Sequence, residues 1–129
     1  MPLLRFDLIE RWDEKSVTRL LDAAHDAVVK ALGVRARDRY QIVHQHPAHE
    51  LIVQDTGLGI QRSNKVVLIT ITSVHRADEL KQALYKALSE EIERRCGISP
   101  NDIMISLVTN TKSDWSIGCG EAQYLEGKL

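Results

Sequence analysis

Two halves of this chain repeat each other at an offset of 64 residues, and this repeat constrains the fold more than any other feature of the sequence. Gly33 matches Gly97, and Asp38 matches Asp102. Ahead of each glycine, apolar residues recur at every fourth position, at Leu20, Ala24, Val28 and Leu32 in the first half and at Leu84, Leu88, Ile92 and Cys96 in the second. This spacing predicts one buried face of an α-helix in each half.

Each predicted helix lies between two predicted strands. The helices run from about residue 13 to 32 and from about 77 to 96; Asp13 is a candidate N-cap, and Gly33 and Gly97 suit the left-handed position after a helix. Runs rich in β-branched residues predict strands at about 2–9, 40–46, 65–73 and 103–109. A strand–helix–strand unit normally connects parallel strands.

Two such units predict a single α/β domain over residues 1–129, a four-stranded mixed sheet with both helices on one face. The first unit covers about 2–46 and the second about 65–109, with a turn-rich loop at 47–64 between them and a tail at 110–129. The helices leave the other face of the sheet apolar and uncovered. We therefore expect the chain to form an oligomer.

The composition excludes several classes of function. Hydrophobic residues make up 43% and charged residues 27% of the chain, and the net charge is -1, so no strong field attracts nucleic acid or a membrane surface. No apolar run approaches the ~20 residues that span a membrane. The first residues do not resemble a signal peptide, and Cys96 and Cys119 fit reduced thiols. We expect a cytoplasmic protein without nucleic-acid or membrane partners.

Pro2 is the main candidate for a catalytic residue. It follows Met1 and begins the first predicted strand, so removal of Met1 leaves a secondary amine at the tip of a structured element. An α-amine has an unperturbed pKa near ~8, and modest desolvation or a nearby cation makes it a base at neutral pH. A retained Met1 converts the Pro2 nitrogen into an amide without basicity. Many chains begin with Met-Pro and make no use of it.

Five segments carry a resemblance to a known family: PLLRFDLIE at 2–10, LLDAAHDAVV at 20–29, RDRYQ at 37–41, DTGLG at 55–59 and DWSIG at 114–118. In order and spacing they resemble the malonate semialdehyde decarboxylase-like branch of the tautomerase superfamily, over essentially the full length. The resemblance implies a trimer of such subunits. It also implies a cofactor-free enzyme without a metal, which uses its N-terminal proline on a small oxo acid.

The resemblance implies roles for individual residues. Pro2 matches the catalytic proline, Asp38 an acid beside it, and Arg76 one of two arginines that hold the substrate carboxylate. The implied substrate-binding residues are Trp115, Leu129, Ile117 and Tyr124, the last two at positions where the branch has phenylalanine. Taken without the resemblance, Asp38 is equally well a turn former and Arg76 a solvated side chain.

Val74 departs from this branch, which has its second arginine at that position. Losing a guanidinium removes a charge-assisted contact of about 1.5–3 kcal/mol if it is buried. His75 is the candidate replacement if it is protonated. The change disfavours decarboxylation, so we expect enol–keto tautomerisation with Pro2 as a neutral base. Decarboxylation or hydration with a protonated Pro2 is the alternative.

Two noncatalytic interpretations stay open. His44 and His46 lie on one face of the second strand, and His49 follows, so Glu50 or Asp55 completes a candidate metal site. The Val74 change also fits an oligomeric protein that has kept the fold and lost the chemistry. Blocking the Pro2 amine distinguishes these interpretations, because it stops the enzyme and leaves metal binding intact.

Overall fold

The computed structural model describes residues 1–129 and contains two long helices and four strands. In chain order the elements are β1 (Pro2–Ile9), α1 (Glu14–Leu32), β2 (Tyr40–His46), β3 (Val67–Val74), α2 (Asp78–Cys96) and β4 (Ile103–Asn110). Short 3-10 turns lie at Ala48–Glu50, Pro100–Asp102 and Lys112–Asp114. The predicted β-α-β duplication is confirmed. Neither helix is long and apolar enough to cross a membrane.

The helix ends follow from local sequence. Asp13 caps α1, and its carboxylate accepts a hydrogen bond of 2.8 Å from the Ser16 N–H. Gly33 and Gly97 follow the two helices with φ values of 66° and 67°, a left-handed conformation that glycine adopts without a steric penalty. The two halves therefore begin their loops with the same backbone geometry.

The sheet has the strand order β2-β1-β3-β4. The central strands β1 and β3 are antiparallel, while β2 runs parallel to β1 and β4 runs parallel to β3. Each parallel pair is joined by a helix, as the repeat predicts. The predicted four-stranded mixed sheet with two helices is confirmed.

The core lies between one face of the sheet and both helices. Alternate side chains of β1 and β3 point into it, and those at Leu4, Phe6, Leu8, Val67, Ile69 and Ile71 are at most 2% exposed. They pack against the predicted apolar faces of α1 and α2, which include Leu20, Ala24, Val28, Leu84, Leu88 and Ile92. Burial of each large aliphatic side chain contributes about 1.5–3 kcal/mol.

The other face of the sheet is uncovered in the single chain and mixed in character. Ile42, Met104 and Val108 are exposed by 46%, 42% and 49%. Between them, the His46 imidazole donates a hydrogen bond of 2.6 Å to the Asp7 carboxylate. The expectation of an apolar face therefore holds at Ile42 on β2 and at Met104 and Val108 on β4, whereas polar side chains occupy the rest of the surface over β1 and β2.

Candidate active site

A cavity of about 730 Å³ opens where β1 begins and β3 ends. Its walls come from Met1, the loop after α1, the start of β2, the segment after β3 and the C-terminal tail. The antiparallel register pairs Pro2 with Ser73, so the residues that follow β3 lie beside the N-terminus. Five predicted site residues line this cavity: Asp38, Arg76, Ile117, Tyr124 and Leu129.

The α-amine of Met1 lies among three of these side chains. It donates a hydrogen bond of 3.2 Å to the Tyr124 hydroxyl and lies 3.6 Å from Asp38 Oδ2. Burial lowers the pKa of the Met1 amine below its ordinary value; the Asp38 carboxylate raises it, and Arg76 lowers it further. Because burial has the largest effect, this end of the sheet favours a neutral amine.

Pro2 is buried directly beneath Met1. It lines a crevice together with Asp38 and His25, and the crevice has no room for a water molecule. With Met1 attached, the Pro2 nitrogen is part of a tertiary amide and carries no proton. The amine that faces the cavity in this chain is therefore the Met1 amine.

Asp38 has one buried carboxylate oxygen without a hydrogen-bond partner. This is Oδ1, while Oδ2 faces the Met1 amine. The Asp38 N–H donates a hydrogen bond of 2.9 Å to the Arg35 carbonyl, which closes the turn before β2. A buried carboxylate oxygen normally has a donor, because burial without one costs free energy. The backbone of Asp38 is thus satisfied, and its side chain is not.

Arg76 and Tyr124 complete the polar wall of the cavity. The only side-chain hydrogen bond of Arg76 runs from its Nε to the buried Ser73 hydroxyl, at 3.5 Å, so most of its donors are available to a ligand. Burial raises the pKa of Tyr124, and the Asp38 charge raises it further, so this phenol keeps its proton at neutral pH. A guanidinium and a neutral hydroxyl therefore face the same space as the amine.

Besides Pro2, which lines only the crevice, two predicted residues, Trp115 and His75, lie outside the cavity. The Trp115 indole donates a hydrogen bond of 2.8 Å to the Asn110 side chain. His75 is exposed, and the neighbouring Val74 is half-buried at the end of β3 without lining the cavity. The structure thus does not bring His75 to the place of the missing arginine, contrary to its predicted role as a replacement.

Three charged or titratable side chains of the cavity were not predicted: Arg35, Arg37 and Tyr40. The two arginines belong to the turn that carries Asp38, and Tyr40 begins β2. Only their position next to Asp38 in the sequence could have indicated them, since a turn that directs one side chain into a cavity often directs its neighbours there too. The two arginines add positive charge to the wall of the cavity.

The candidate metal ligands assemble differently from the prediction. His44 and His46 stack with ring centroids 4.2 Å apart, and their ligand atoms and that of Asp7 lie within 4.8 Å of one another. Arg5 contacts the same group: its Nε lies 3.4 Å from Asp7, and its guanidinium donates to His44 at 3.3 Å. A cation at this cluster would therefore compete with a guanidinium.

The predicted further ligands lie away from this cluster. His49 is 82% exposed in its side chain and pairs with Glu50 at 3.9 Å. The Asp55 carboxylate accepts hydrogen bonds from backbone N–H groups of its own turn, including those of Gly57 and Gly59. These three residues organise the surface of the loop between the halves.

Comparison with known proteins identifies relatives that cover the whole fold and the cavity. Two family models described as tautomerase enzyme match residues 2–61 and 38–118. Over 129 residues, the whole of both chains, the sequence is 52% identical to the Probable tautomerase YrdN of Bacillus subtilis (strain 168). The match covers every residue of the cavity described above.

Solved structures agree with these matches. A malonate semialdehyde decarboxylase, described with decarboxylase and hydratase activities, is 50% identical and superposes with a TM-score of 0.97 over 98% of each chain. A fused 4-OT described as a symmetric trimer is 26% identical, with a TM-score of 0.76 over 92% of this chain and 94% of that one. The duplicated fold is thus shared across the full length.

Proposed function

The chain belongs to the tautomerase family, and from this premise we propose that it catalyses enol–keto tautomerisation of a small oxo acid with the amine of Pro2. The proposal includes removal of Met1, which a proline at the second position normally allows. The reaction needs no metal and no cofactor, because the proton moves between the substrate and a group of the chain. The proposed polar residues are Pro2, Asp38, Arg76 and Tyr124.

The observation that carries the proposal is the environment of the first amine of the chain. That amine contacts Tyr124 and Asp38, and burial lowers its pKa. Pro2 is buried at the same end of the sheet, so its nitrogen should also be partly desolvated once it becomes the terminal amine. A neutral secondary amine beside a cavity is the base that tautomerisation requires.

In the proposed reaction, Pro2 removes one proton from the substrate and returns it at another atom. The lone pair of the Pro2 nitrogen accepts the proton of the enol hydroxyl, and the O–H bond breaks. Negative charge then spreads over the oxygen and the α-carbon of the substrate, which is bonded to the carbon that carries this oxygen. The prolinium N–H returns the proton to carbon, which forms the keto product and restores the neutral amine.

The remaining wall residues bind and orient the substrate in this proposal. Arg76 has donors available for the substrate carboxylate and stabilises the enolate charge. Arg35 and Arg37 supply further positive charge to the cavity wall, whereas Val74, at the position where the branch has its second arginine, supplies none. Ile117 and Leu129 are apolar walls that limit the size of the substrate.

A second candidate function is decarboxylation or hydration of a 3-oxo acid. The Asp38 carboxylate favours it, because Oδ2 lies 3.6 Å from the terminal amine and a carboxylate at this place stabilises a prolinium. The 50% identity to a malonate semialdehyde decarboxylase also supports it. This reaction requires a protonated Pro2, whereas tautomerisation requires a neutral one.

One experiment separates the two candidates. Protein with Met1 removed and proline labelled with nitrogen-15 is titrated by NMR, and the same sample is assayed with the enol of a 2-oxo acid and with malonate semialdehyde. A Pro2 pKa below 7 with loss of the enol absorbance supports tautomerisation. A pKa above 7 with carbon dioxide release supports the second candidate. Full retention of Met1 in native protein, measured by mass spectrometry, contradicts both.

We also propose that the chain assembles as a homotrimer. The exposed side chains of Ile42, Met104 and Val108 leave an apolar surface beside the polar centre of the open sheet face, and Ile52 and Leu58 are 78% and 76% exposed on the loop. The fused 4-OT trimer shares this fold. Light scattering of wild type and Val108→Asp tests the proposal: wild type has three times the mass of the chain, and the variant is smaller. A monomeric wild type contradicts it.

A further inference from the structure

We propose that His25 is a positioning residue that holds the Asp38 turn and thereby leaves the Asp38 carboxylate available to the Pro2 amine. This inference rests on the proposed function, because it concerns the group that tunes Pro2. His25 lies on α1, outside the polar wall of the cavity, and is only 8% exposed. It lines the closed crevice beneath the N-terminus together with Pro2 and Asp38.

The contact that carries this inference is a short hydrogen bond from His25 to the turn. The His25 Nε2 lies 2.7 Å from the Ala36 carbonyl oxygen. A carbonyl only accepts, so Nε2 carries the proton and donates it. The bond joins a rigid helix to the residue two positions before Asp38, and thus limits the movement of this turn.

The second half of the chain holds its equivalent turn by another route. Asp102 accepts hydrogen bonds of 2.6 Å from both the N–H and the hydroxyl of Ser63, so both of its oxygens are occupied. At the position equivalent to His25 this half has Ser89, and at the position of Ala36 it has Pro100. In the second half the aspartate side chain itself holds the turn in place. In the first half His25 holds the turn through its hydrogen bond to the Ala36 carbonyl.

This division of roles has a chemical consequence. A carboxylate whose oxygens are both bonded to the protein has little capacity left for an amine. Because His25 holds the turn, Asp38 keeps Oδ1 unpaired and Oδ2 directed at the N-terminus. Loosening the turn should let Asp38 move away and weaken its electrostatic effect on Pro2.

The amine has several charged or titratable neighbours besides Asp38. They are Arg76 after β3, Tyr124 in the tail, Arg35 and Arg37 in the turn, Tyr40 on β2 and His25 on α1. Among these, Asp38 raises the pKa of the Met1 amine, and Arg76 lowers it. Displacement of Asp38 in a His25 variant should therefore lower the pKa of the terminal amine.

The test is nitrogen-15 NMR titration of Pro2 in protein with Met1 removed. His25→Leu removes the donor, and His25→Asn is a second loss variant with an amide too short to reach Ala36. His25→Gln retains a donor near the position of Nε2. Asp38→Asn measures how much the carboxylate contributes to the Pro2 pKa. Ile92→Val in α2 is the control, because it lowers stability at a place far from the turn.

We expect His25→Leu or His25→Asn to lower the Pro2 pKa by at least about half of the shift in Asp38→Asn, with a matching fall in kcat. His25→Gln should restore the wild-type pKa, and Ile92→Val should leave it unchanged. An unchanged pKa in both loss variants, with a clear shift in Asp38→Asn, overturns the role of His25 and leaves the proposed function intact. An unchanged pKa in Asp38→Asn overturns both roles.

Discussion

Asp38 and Asp102 occupy the same turn in the two halves of the molecule, yet their side chains have opposite environments. Each N–H closes its turn with a hydrogen bond of 2.9 Å, to the Arg35 carbonyl in one half and to the Ser99 carbonyl in the other. Asp102 is bonded by Ser63 at both oxygens, whereas Asp38 Oδ1 is buried and unpaired. The backbone repeats, and the chemistry does not.

This difference indicates how a duplicated fold acquires a site. Both copies inherit a glycine-terminated helix and a turn with an aspartate, which serve the structure. In the second copy the aspartate serves stability, because it anchors the inter-half loop through Ser63. In the first copy it is available for reaction. Changes to the terminal amine and to each aspartate should separate these two roles.

Retention of Met1 should abolish proton transfer while leaving both turns intact. The Pro2 nitrogen then remains an amide, so the general-base contribution of about 10²- to 10⁴-fold is lost. The measurement is kcat on two fractions of one preparation that differ only by Met1, as identified by mass. Equal kcat values for the two fractions would contradict a role for the Pro2 amine.

Asp102→Asn should destabilise the fold and spare the chemistry. It removes charge-assisted hydrogen bonds from Ser63, so we expect a loss of about 2–4 kcal/mol in the free energy of unfolding. Urea denaturation measures this loss, and kcat per folded molecule should stay within about twofold of wild type. If Asp102→Asn has the same free energy of unfolding as wild type, Asp102 does not anchor the loop.

Asp38→Asn should have the converse effect. It removes the charge that stabilises the prolinium formed during proton transfer, so we expect kcat to fall by about 10- to 100-fold. The stability change should stay below about 1 kcal/mol, because Oδ1 has no partner to lose. Urea denaturation and steady-state kinetics on both aspartate variants make the comparison direct. The contrast fails if Asp38→Asn loses as much stability as Asp102→Asn.

The pH profile should report the same contrast. A neutral amine is the active form, so kcat/KM should rise with pH through the pKa of Pro2 and then level off. We expect burial to lower this pKa, as it lowers that of the Met1 amine. Asp38→Asn removes a group that raises this pKa, so its profile should move to lower pH. In Asp102→Asn the profile should be unchanged. A profile that falls as pH rises through this range would indicate the prolinium mechanism instead.

Tyr124→Phe should have the smallest effect. The hydroxyl makes one hydrogen bond to the terminal amine, worth about 0.5–1.5 kcal/mol, so we expect kcat/KM to fall by about 2- to 10-fold. Tyr85→Phe, on the far helix α2, is the matched control and should leave the rate unchanged. An unchanged kcat/KM in Tyr124→Phe would show that the hydroxyl does not contribute and that Tyr124 only lines the cavity.

The sequence predicts the scaffold well, because the scaffold depends on local patterns. The fourfold spacing before Gly33 and Gly97 marks the helices, and the β-branched runs mark the strands. The repeat then limits the topology to two parallel pairs in one mixed sheet. For the site, the resemblance selects Asp38, Arg76 and Tyr124, which the structure brings to one cavity.

What the sequence does not predict depends on contacts between distant residues. The orientation of His75 and Trp115 depends on where β3 and β4 end, and neither lines the cavity. The pairing of Ser63 with Asp102, and of His25 with Ala36, joins segments whose spacing carries no periodic signal. Identical turn residues therefore do not indicate which aspartate is bonded and which is available.

Both ends of the polypeptide meet at one opening. Met1 and Leu129 line the same cavity, although they are the most distant residues along the chain. An affinity tag fused at either end therefore begins at the mouth of this cavity and obstructs entry of small molecules. A tag placed in the exposed loop near Leu58 would avoid that obstruction in the single chain.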